Sequence, residues 1–142
     1  MSNVDGLDQV KKNLEALSKK YGEAVVKAGG AAAQLVRTSA IKSIQQKSSG
    51  EAVTRYRSGG NSYQHTASAA GDAPNSDTGA LVRSVQVEIK PNAIYVGSKL
   101  NYAGHLEFGT SKMNARPWLF PALEKSKKEI SDIYGLKIKG VK

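Results

Sequence analysis

Apolar residues recur at Leu7, Val10, Leu14, Leu17 and Tyr21, with spacings that alternate three and four. This is one stripe of an amphipathic helix, and Lys11, Lys12, Lys19 and Lys20 fall largely on its other faces. The helical pattern resumes at Val25, Val26 and Ala28 and continues through Ala32, Leu35, Val36, Ala40, Ile41 and Ile44. An unbroken helix of that extent would be about 60 Å long at about 1.5 Å per residue, more than a small domain spans. The expectation is therefore a kink or break near Gly22 or Gly29-Gly30, or one helix whose start projects from the body. The cluster Ala31-Ala32-Ala33 suits close packing against a sheet. Ser48-Ser49-Gly50 ends the helical region, taken as residues 5–48.

Residues 49–77 form an arm of different composition, with Gly59-Gly60, several serines, Gly71 and Pro74. A structureless loop this long is uncommon in a compact domain unless it is functional or disordered. Two β-prone pieces, Val53-Thr54-Arg55-Tyr56-Arg57 and Tyr63-Gln64-His65-Thr66, flank Ser58-Gly59-Gly60-Asn61-Ser62 and suggest a long β-hairpin. A mobile solvent loop is the alternative. As an arm that meets neighbouring subunits or DNA, the segment offers Arg55, Tyr56, Arg57 and Tyr63, since Arg and Tyr are enriched at interfaces.

Beyond the arm, Val85, Val87 and Ile89 alternate with Ser84, Gln86 and Glu88, the period of a strand. Lys90-Pro91-Asn92 makes a turn, and Ile94, Tyr95 and Val96 form the return strand, ended by Gly97. Two strands alone are marginal and need a cover, which the first helix can supply. Ser98 is expected to cap a short helix through Tyr102, Ala103, Leu106 and Phe108 that Gly109 stops. Pro117 or Pro121 opens the last helix, Leu119, Leu123, Ile130, Ile133 and Tyr134 form its inner face, and Gly135 ends it. The tail, residues 136–142, alternates apolar and basic residues and reads as an added strand or a frayed end. The fold class is α+β: a long N-terminal helix and a C-terminal helix packed on a small antiparallel sheet, with a long extended or hairpin-like loop. All of it forms one domain of 142 residues, with the hairpin and last helix at 78–135.

Composition changes the picture in two ways. The formal net charge is +9, a field that favours DNA, RNA or an acidic protein surface, or that simply keeps the chain soluble. The cations are not one block: Lys11, Lys12, Lys19, Lys20 and Lys27 stand early, and Lys125, Lys127, Lys128, Lys137, Lys139 and Lys142 stand late. Cysteine is absent, which excludes a disulfide framework and a thiolate metal site and agrees with synthesis in a reducing cytoplasm. Residues 1–10 carry Asp5 and Asp8 without an apolar run, unlike a secretory signal, and no stretch has the length to cross a bilayer.

Catalytic chemistry is hard to assemble from this chain. His65 and His105 are the only histidines, and His105 points away from Glu107 if both lie on a helix. A metal site would need more ligands than this neighbourhood offers. Glu107 has no second titrating partner in view. Its carboxylate is expected to accept N–H bonds from the Gly109-Thr110-Ser111 turn, or to pair with Arg116. Gly109-Thr110-Ser111-Lys112 lacks the spacing of a phosphate-binding loop. Gly79 suits a backbone geometry that a side chain resists, and Trp118 and Phe120 read as core or subunit-contact residues. The expectation is a protein without catalytic function or cofactor.

One run gathers much of the unusual composition: Tyr102-Ala103-Gly104-His105-Leu106-Glu107-Phe108-Gly109-Thr110-Ser111-Lys112-Met113-Asn114-Ala115-Arg116-Pro117-Trp118-Leu119-Phe120-Pro121-Ala122-Leu123. It resembles the hallmark of the head–tail joining family of tailed bacteriophages, also called neck or tail-completion proteins. Their segment has the form Tyr-Ala-x-x-Leu-Glu-Phe-Gly-Thr-Ser-Lys-Met-x-Ala-Arg-Pro-Phe-Leu-x-Pro-Ala-Leu, and Trp118 stands where Phe is usual. A second stretch, Ala73-Pro74 followed by Thr78-Gly79-Ala80-Leu81 and Ser84-Val85, is similar to that family's Ala-Pro, Thr-Gly-x-Leu and Ser-β-branched pattern. The resemblance covers about the C-terminal half; the first helix fits loosely.

The resemblance implies a structural virion protein at the head–tail interface, made in the host bacterial cytoplasm. It would assemble as a ring of copies of itself, about six or twelve on closed-ring grounds, between head-connector and tail proteins. Packaged DNA would pass through with non-specific contact, and no membrane is involved. Thr78, Gly79, Leu81, Tyr102, Glu107, Phe108, Gly109, Thr110, Arg116, Pro117 and Trp118 are its structural motif residues. Arg55, Tyr56, Arg57 and Tyr63 are its candidate subunit or DNA-lumen contacts. The alternative function is a basic, sequence-independent nucleic-acid-binding protein, which the charge favours although no helix-turn-helix, zinc or RNA-recognition signature is present.

Overall fold

A computed structural model of the chain describes residues 4–46 and 50–141. Ser48 and Ser49, expected to end the first helix, lie outside the described residues, as do the first three residues of the leading segment and Lys142 of the tail. The element order is α1 (Val4–Gln45), β1 (Ala52–Tyr56), β2 (Ser62–Thr66), α2 (Ala80–Ser84), β3 (Val85–Lys90), β4 (Ala93–Ser98), α3 (Asn101–Phe108) and α4 (Phe120–Lys139). The chain is α+β, with a long N-terminal helix, a C-terminal helix and two small antiparallel sheets.

α1 runs for 42 residues with neither of the breaks that its glycines suggest. Of the two expectations, the projecting start is the one realised: residues 6–23 are exposed throughout. This stalk is rich in good helix formers. Asp8 and Lys12, and Glu15 and Lys19, stand four apart in the order that supports a helix, and Gln9 bonds Asn13 at 3.0 Å. Gly29 answers to packing. A Cβ there would overlap Ile94 Cδ1 and lie 2.9 Å from Tyr134 Oη, so the missing side chain lets α1 approach β4 and α4 together. The backbone stays helical because that contact outweighs the cost of an interior glycine, about 1 kcal/mol.

The core lies beside the second half of α1. Ala28, Ala32, Ala33, Val36, Ala40 and Ile44 are buried there, and Ala40 and Ile44 join Leu81, Val85, Ala103, Trp118 and Ala122 in one cluster. Small residues on α1 let α4 and the β3–β4 hairpin come close. That hairpin pairs Val85 with Ser98 and Lys90 with Ala93, which leaves Pro91-Asn92 as its loop and carries the return strand one residue past Gly97. The arm contains the other hairpin, Ala52 opposite Thr66 and Tyr56 opposite Ser62, and the two sheets do not join.

Five local expectations are corrected. Ser84 belongs to a short helix, α2, rather than to the strand; Gly79, at φ 73°, turns the chain into it. Ser98 does not directly cap α3, whose N-cap is Leu100. Its hydroxyl instead accepts the Leu100 N–H at 3.1 Å and shares a 2.7 Å bond with Ser84, which ties the end of β4 to α2. Leu123 is exposed, and Ala122 and Ser126 take the buried positions of α4; the Ser126 hydroxyl is satisfied by the Ala122 carbonyl at 2.8 Å. Gly135 does not end α4, which runs on to Lys139 and stops at Gly140. The final turns lie along α1, where Lys137, Gly140 and Val141 share a cleft with Lys20, Glu23, Ala24 and Lys27, so the described part of the tail, residues 136–141, continues α4 and its cap and is not a strand.

Candidate functional site

The segment from α3 to α4 is built around one carboxylate. Glu107 sits on the last turn of α3, and its oxygens accept the backbone N–H groups of Trp118 at 2.8 Å, Leu119 at 2.9 Å and Phe120 at 2.8 Å. These donors lead into the first turn of α4, whose N-cap residue Leu119 supplies no side-chain cap. Such N–H groups have no partner within their own helix, and the helix dipole gives them positive character. An ionised acid from a neighbouring helix satisfies both needs with charge-assisted bonds. Pro121, which has no N–H, follows directly and removes one of the unpaired donors of that turn. Glu107 thus bonds neither to the Gly109-Thr110-Ser111 turn nor to Arg116, as the sequence suggested.

The turn between the helices closes on itself. Gly109 takes φ 76°, a conformation that side chains resist, and a Cβ on it would lie 2.9 Å from both Ala115 N and Met113 O. Thr110 and Met113 exchange backbone bonds at 2.8 and 3.3 Å, and Thr110 Oγ1 accepts the Lys112 N–H. The Arg116 N–H donates to the Leu106 carbonyl at 2.7 Å, and Arg116 Nε donates to the Ser68 carbonyl at 3.1 Å. Arg116 therefore clamps the root of the arm to the motif, a role that Gly71 N–H to the Ala115 carbonyl shares at 3.0 Å. Pro117 delivers the chain to Trp118, whose indole is 2% exposed and whose Nε1–H donates to the Ala103 carbonyl at 3.4 Å. Ser43 of α1 donates to the Trp118 carbonyl.

Two aromatic residues are left facing outward beside this lock. Phe108 is 85% exposed and Phe120 is 61% exposed, one on each helix that Glu107 joins. Phe120 is thus surface and Trp118 is core. The second motif stretch lies across a cleft from the first. Thr78 Oγ1 accepts the Ala80 N–H, Leu81 is buried, and Tyr102 and Arg116 line the far wall with Leu106 and Met113. The structure therefore brings the two stretches together, although about twenty residues of strand and turn separate them.

Asp77 is the site residue that sequence reasoning missed. Its carboxylate receives Arg55 Nη1 at 2.7 Å and the Tyr63 hydroxyl at 2.8 and 3.0 Å, with His65 Nδ1 3.7 Å away. Arg57 stacks over the Tyr63 ring at 4.8 Å. Arg55, Arg57 and Tyr63 are thus committed to this intramolecular cluster, and Tyr56, 76% exposed, is left outward. The signal was present: an acid just past a segment carrying two arginines invites a pair, but spacing alone does not say which segments meet.

Tyr63 has its pKa raised above the ordinary 10.0, first because the phenol donates to Asp77, then through partial desolvation and the charge of that carboxylate; Arg55 and Arg57 oppose the shift. A raised folded-state value means that the bond's contribution is complete below 10.0 and is lost as pH climbs through the raised value. Wild type should therefore lose thermal stability on the alkaline side relative to Tyr63→Phe. Melting midpoints of both proteins between about pH 8 and pH 12 measure this; parallel curves would contradict it.

Chemically, the site holds and positions. His105 is exposed, Glu107 is occupied as a cap, and among the described residues no group of three or more His, Asp or Glu side chains could hold a metal ion. Among the described residues no helix is long and apolar enough to cross a membrane. Comparison with protein-family models, with curated proteins and with solved structures finds no match.

Proposed function

We propose that this chain is a structural protein of a tailed-phage particle, at the junction of head and tail, that works by assembling into a ring and joining its neighbours. The observation that carries the reading is the use made of the motif. Its one acid, Glu107, is fully spent on three backbone donors, its tryptophan is core, and its remaining aromatics Tyr102, Phe108 and Phe120 are exposed. A segment arranged in this way supports a rigid surface suited to contact with other copies or neighbours. Ring contacts are heterologous, with different patches on the two sides of each copy. The arm hairpin, with Tyr56 outward and one unpaired edge on each strand, is one such patch. Exposed lysines tolerate a passing polyanion without reading its sequence.

The test is reconstitution. Purified chain added to DNA-filled heads and tails that lack it restores their joining, and a variant without residues 52–66 keeps the helical spectrum of the parent but does not restore joining. Failure of the intact chain to join particles overturns the reading. The net charge of +9 favours a second reading, a sequence-independent nucleic-acid binder. Tight, steeply salt-dependent binding to random duplex by a chain inactive in joining would select it.

A further inference from the structure

We infer that the projecting face of α1, Leu7, Val10, Leu14, Leu17 and Tyr21, is the surface through which copies of this chain pack on one another, as parallel helices. These side chains are between 39% and 70% exposed in the single chain. They are not scattered: together with Val25, Ala28 and Ala32 they follow one line of three- and four-residue steps along the helix. Ala28 and Ala32, farther along that line, are buried at 0% and 6%. The stripe is thus the core face of α1 carried past the point where its own cover stops, since Ala28 and Ala32 are buried on it while Val25, Tyr21 and the apolar residues before them are exposed.

The spacing specifies the shape of the missing cover. Alternating steps of three and four are the a and d positions of a heptad, which a second helix fills by knobs-into-holes packing. The flanking positions admit a second copy of this helix. With Leu7, Leu14 and Tyr21 at a and Val10 and Leu17 at d, the g positions are Gly6, Asn13 and Lys20 and the e positions are Lys11, Ser18 and Val25. Parallel, in-register copies set Gly6 against Lys11, Asn13 against Ser18 and Lys20 against Val25, so no like charges meet. In a chain of net charge +9 that is the condition copies must satisfy to lie side by side. Asp8 with Lys12 and Glu15 with Lys19 stay on the outer faces. A polyanion does not fit the stripe, whose five side chains carry no cation.

Parallel alignment is also what rotation about a single axis imposes on the stalks of a ring. The inference deepens the ring reading and rests on it in one respect. Two heptads associate weakly alone, and ring contacts elsewhere raise the local concentration of stalks.

Two full-length variants test it. Leu14→Glu/Leu17→Glu should weaken self-association about a hundredfold or more in sedimentation between about 10 µM and 1 mM, while the melting midpoint of dilute protein stays at the wild-type value. Leu7→Cys, in a chain with no other cysteine, should form a disulfide with a second copy under mild oxidation, and urea present during the oxidation should prevent it. Unchanged association of the double variant would show that copies meet elsewhere; the ring reading would survive and this surface would not. Wild type that stays monomeric over the whole range, or that associates only with a different protein, would also overturn it, whatever the joining assay reports. Association lost in the double variant without any Leu7→Cys cross-link would overturn the parallel arrangement.

Discussion

Trp118→Ala should lower the free energy of unfolding by about 3–5 kcal/mol, the largest effect expected of any single substitution in this chain. The indole is buried among Ala40, Leu81, Val85, Ala103 and Ala122 and carries a hydrogen bond to the Ala103 carbonyl. Its neighbours are mostly alanines and short residues on four helices and a strand, so none can swing into the space it vacates, and the cavity term stays close to its full value. Trp118→Phe, which restores the residue usual in the motif, should cost less, because a ring still fills most of the volume. Phe108→Ala and Phe120→Ala should each change stability by less than about 0.5 kcal/mol, because both rings are largely in water. Urea titration of the four variants separates these outcomes, with a common slope expected throughout. If Trp118→Ala melted like wild type, the core assignment would fail. If the Phe variants kept full stability yet failed to join particles, those aromatics would be contact residues.

Glu107→Ala should cost about 2–4 kcal/mol, which places it second. Hydrogen bonds to a charged group contribute about 1.5–3 kcal/mol, and an unmet cap leaves N–H donors exposed to a desolvation penalty. Three donors lose their acceptor at once, but they do so near the surface, where water replaces part of the loss. Glu107→Gln should fall between, at about 1–2 kcal/mol. Its carbonyl oxygen can serve the two donors that share Oε2 in the parent, its amide nitrogen would face the Phe120 N–H as a second donor, and its neutral dipole no longer opposes the positive helix end. Hydrogen exchange should localise the damage, with protection lost in the first turn of α4 before the β3–β4 hairpin. Uniform loss across the molecule would mean that Glu107 acts in some other way.

How much of this was legible follows from what kind of information each residue carries. The stripe from Leu7 to Tyr21, the alternation around Val87, the turn at Pro91-Asn92 and the stop at Gly109 were all readable, and a start at Pro117 or Pro121 narrowed to the second in the fold, because each is a local preference of the backbone or a local periodicity. The arm hairpin was readable for the same reason, from β-prone pieces on either side of a glycine pair. The sequence left open whether α1 breaks near Gly29 or continues with a projecting start, because propensity describes what a residue prefers alone. The neighbours of Gly29, Ile94 and Tyr134, stand more than sixty positions away. Gly135 was misread, since the α1 surface that keeps the last turns of α4 helical belongs to another element.

For the site the division is sharper. Residue chemistry alone made Glu107 conspicuous, as an acid in an apolar run that had to find donors, and it made Arg55 and Tyr63 conspicuous as adhesive side chains. Which donors Glu107 meets, and that Asp77 holds Arg55 and Tyr63, depended on how α3, α4 and the arm are set against one another. Helix, strand and turn come from interactions within a few residues, and these are written in order along the chain. Partners come from the packing of distant segments around Trp118, where many contacts of small individual energy decide the arrangement jointly, and no stretch read in isolation contains that sum.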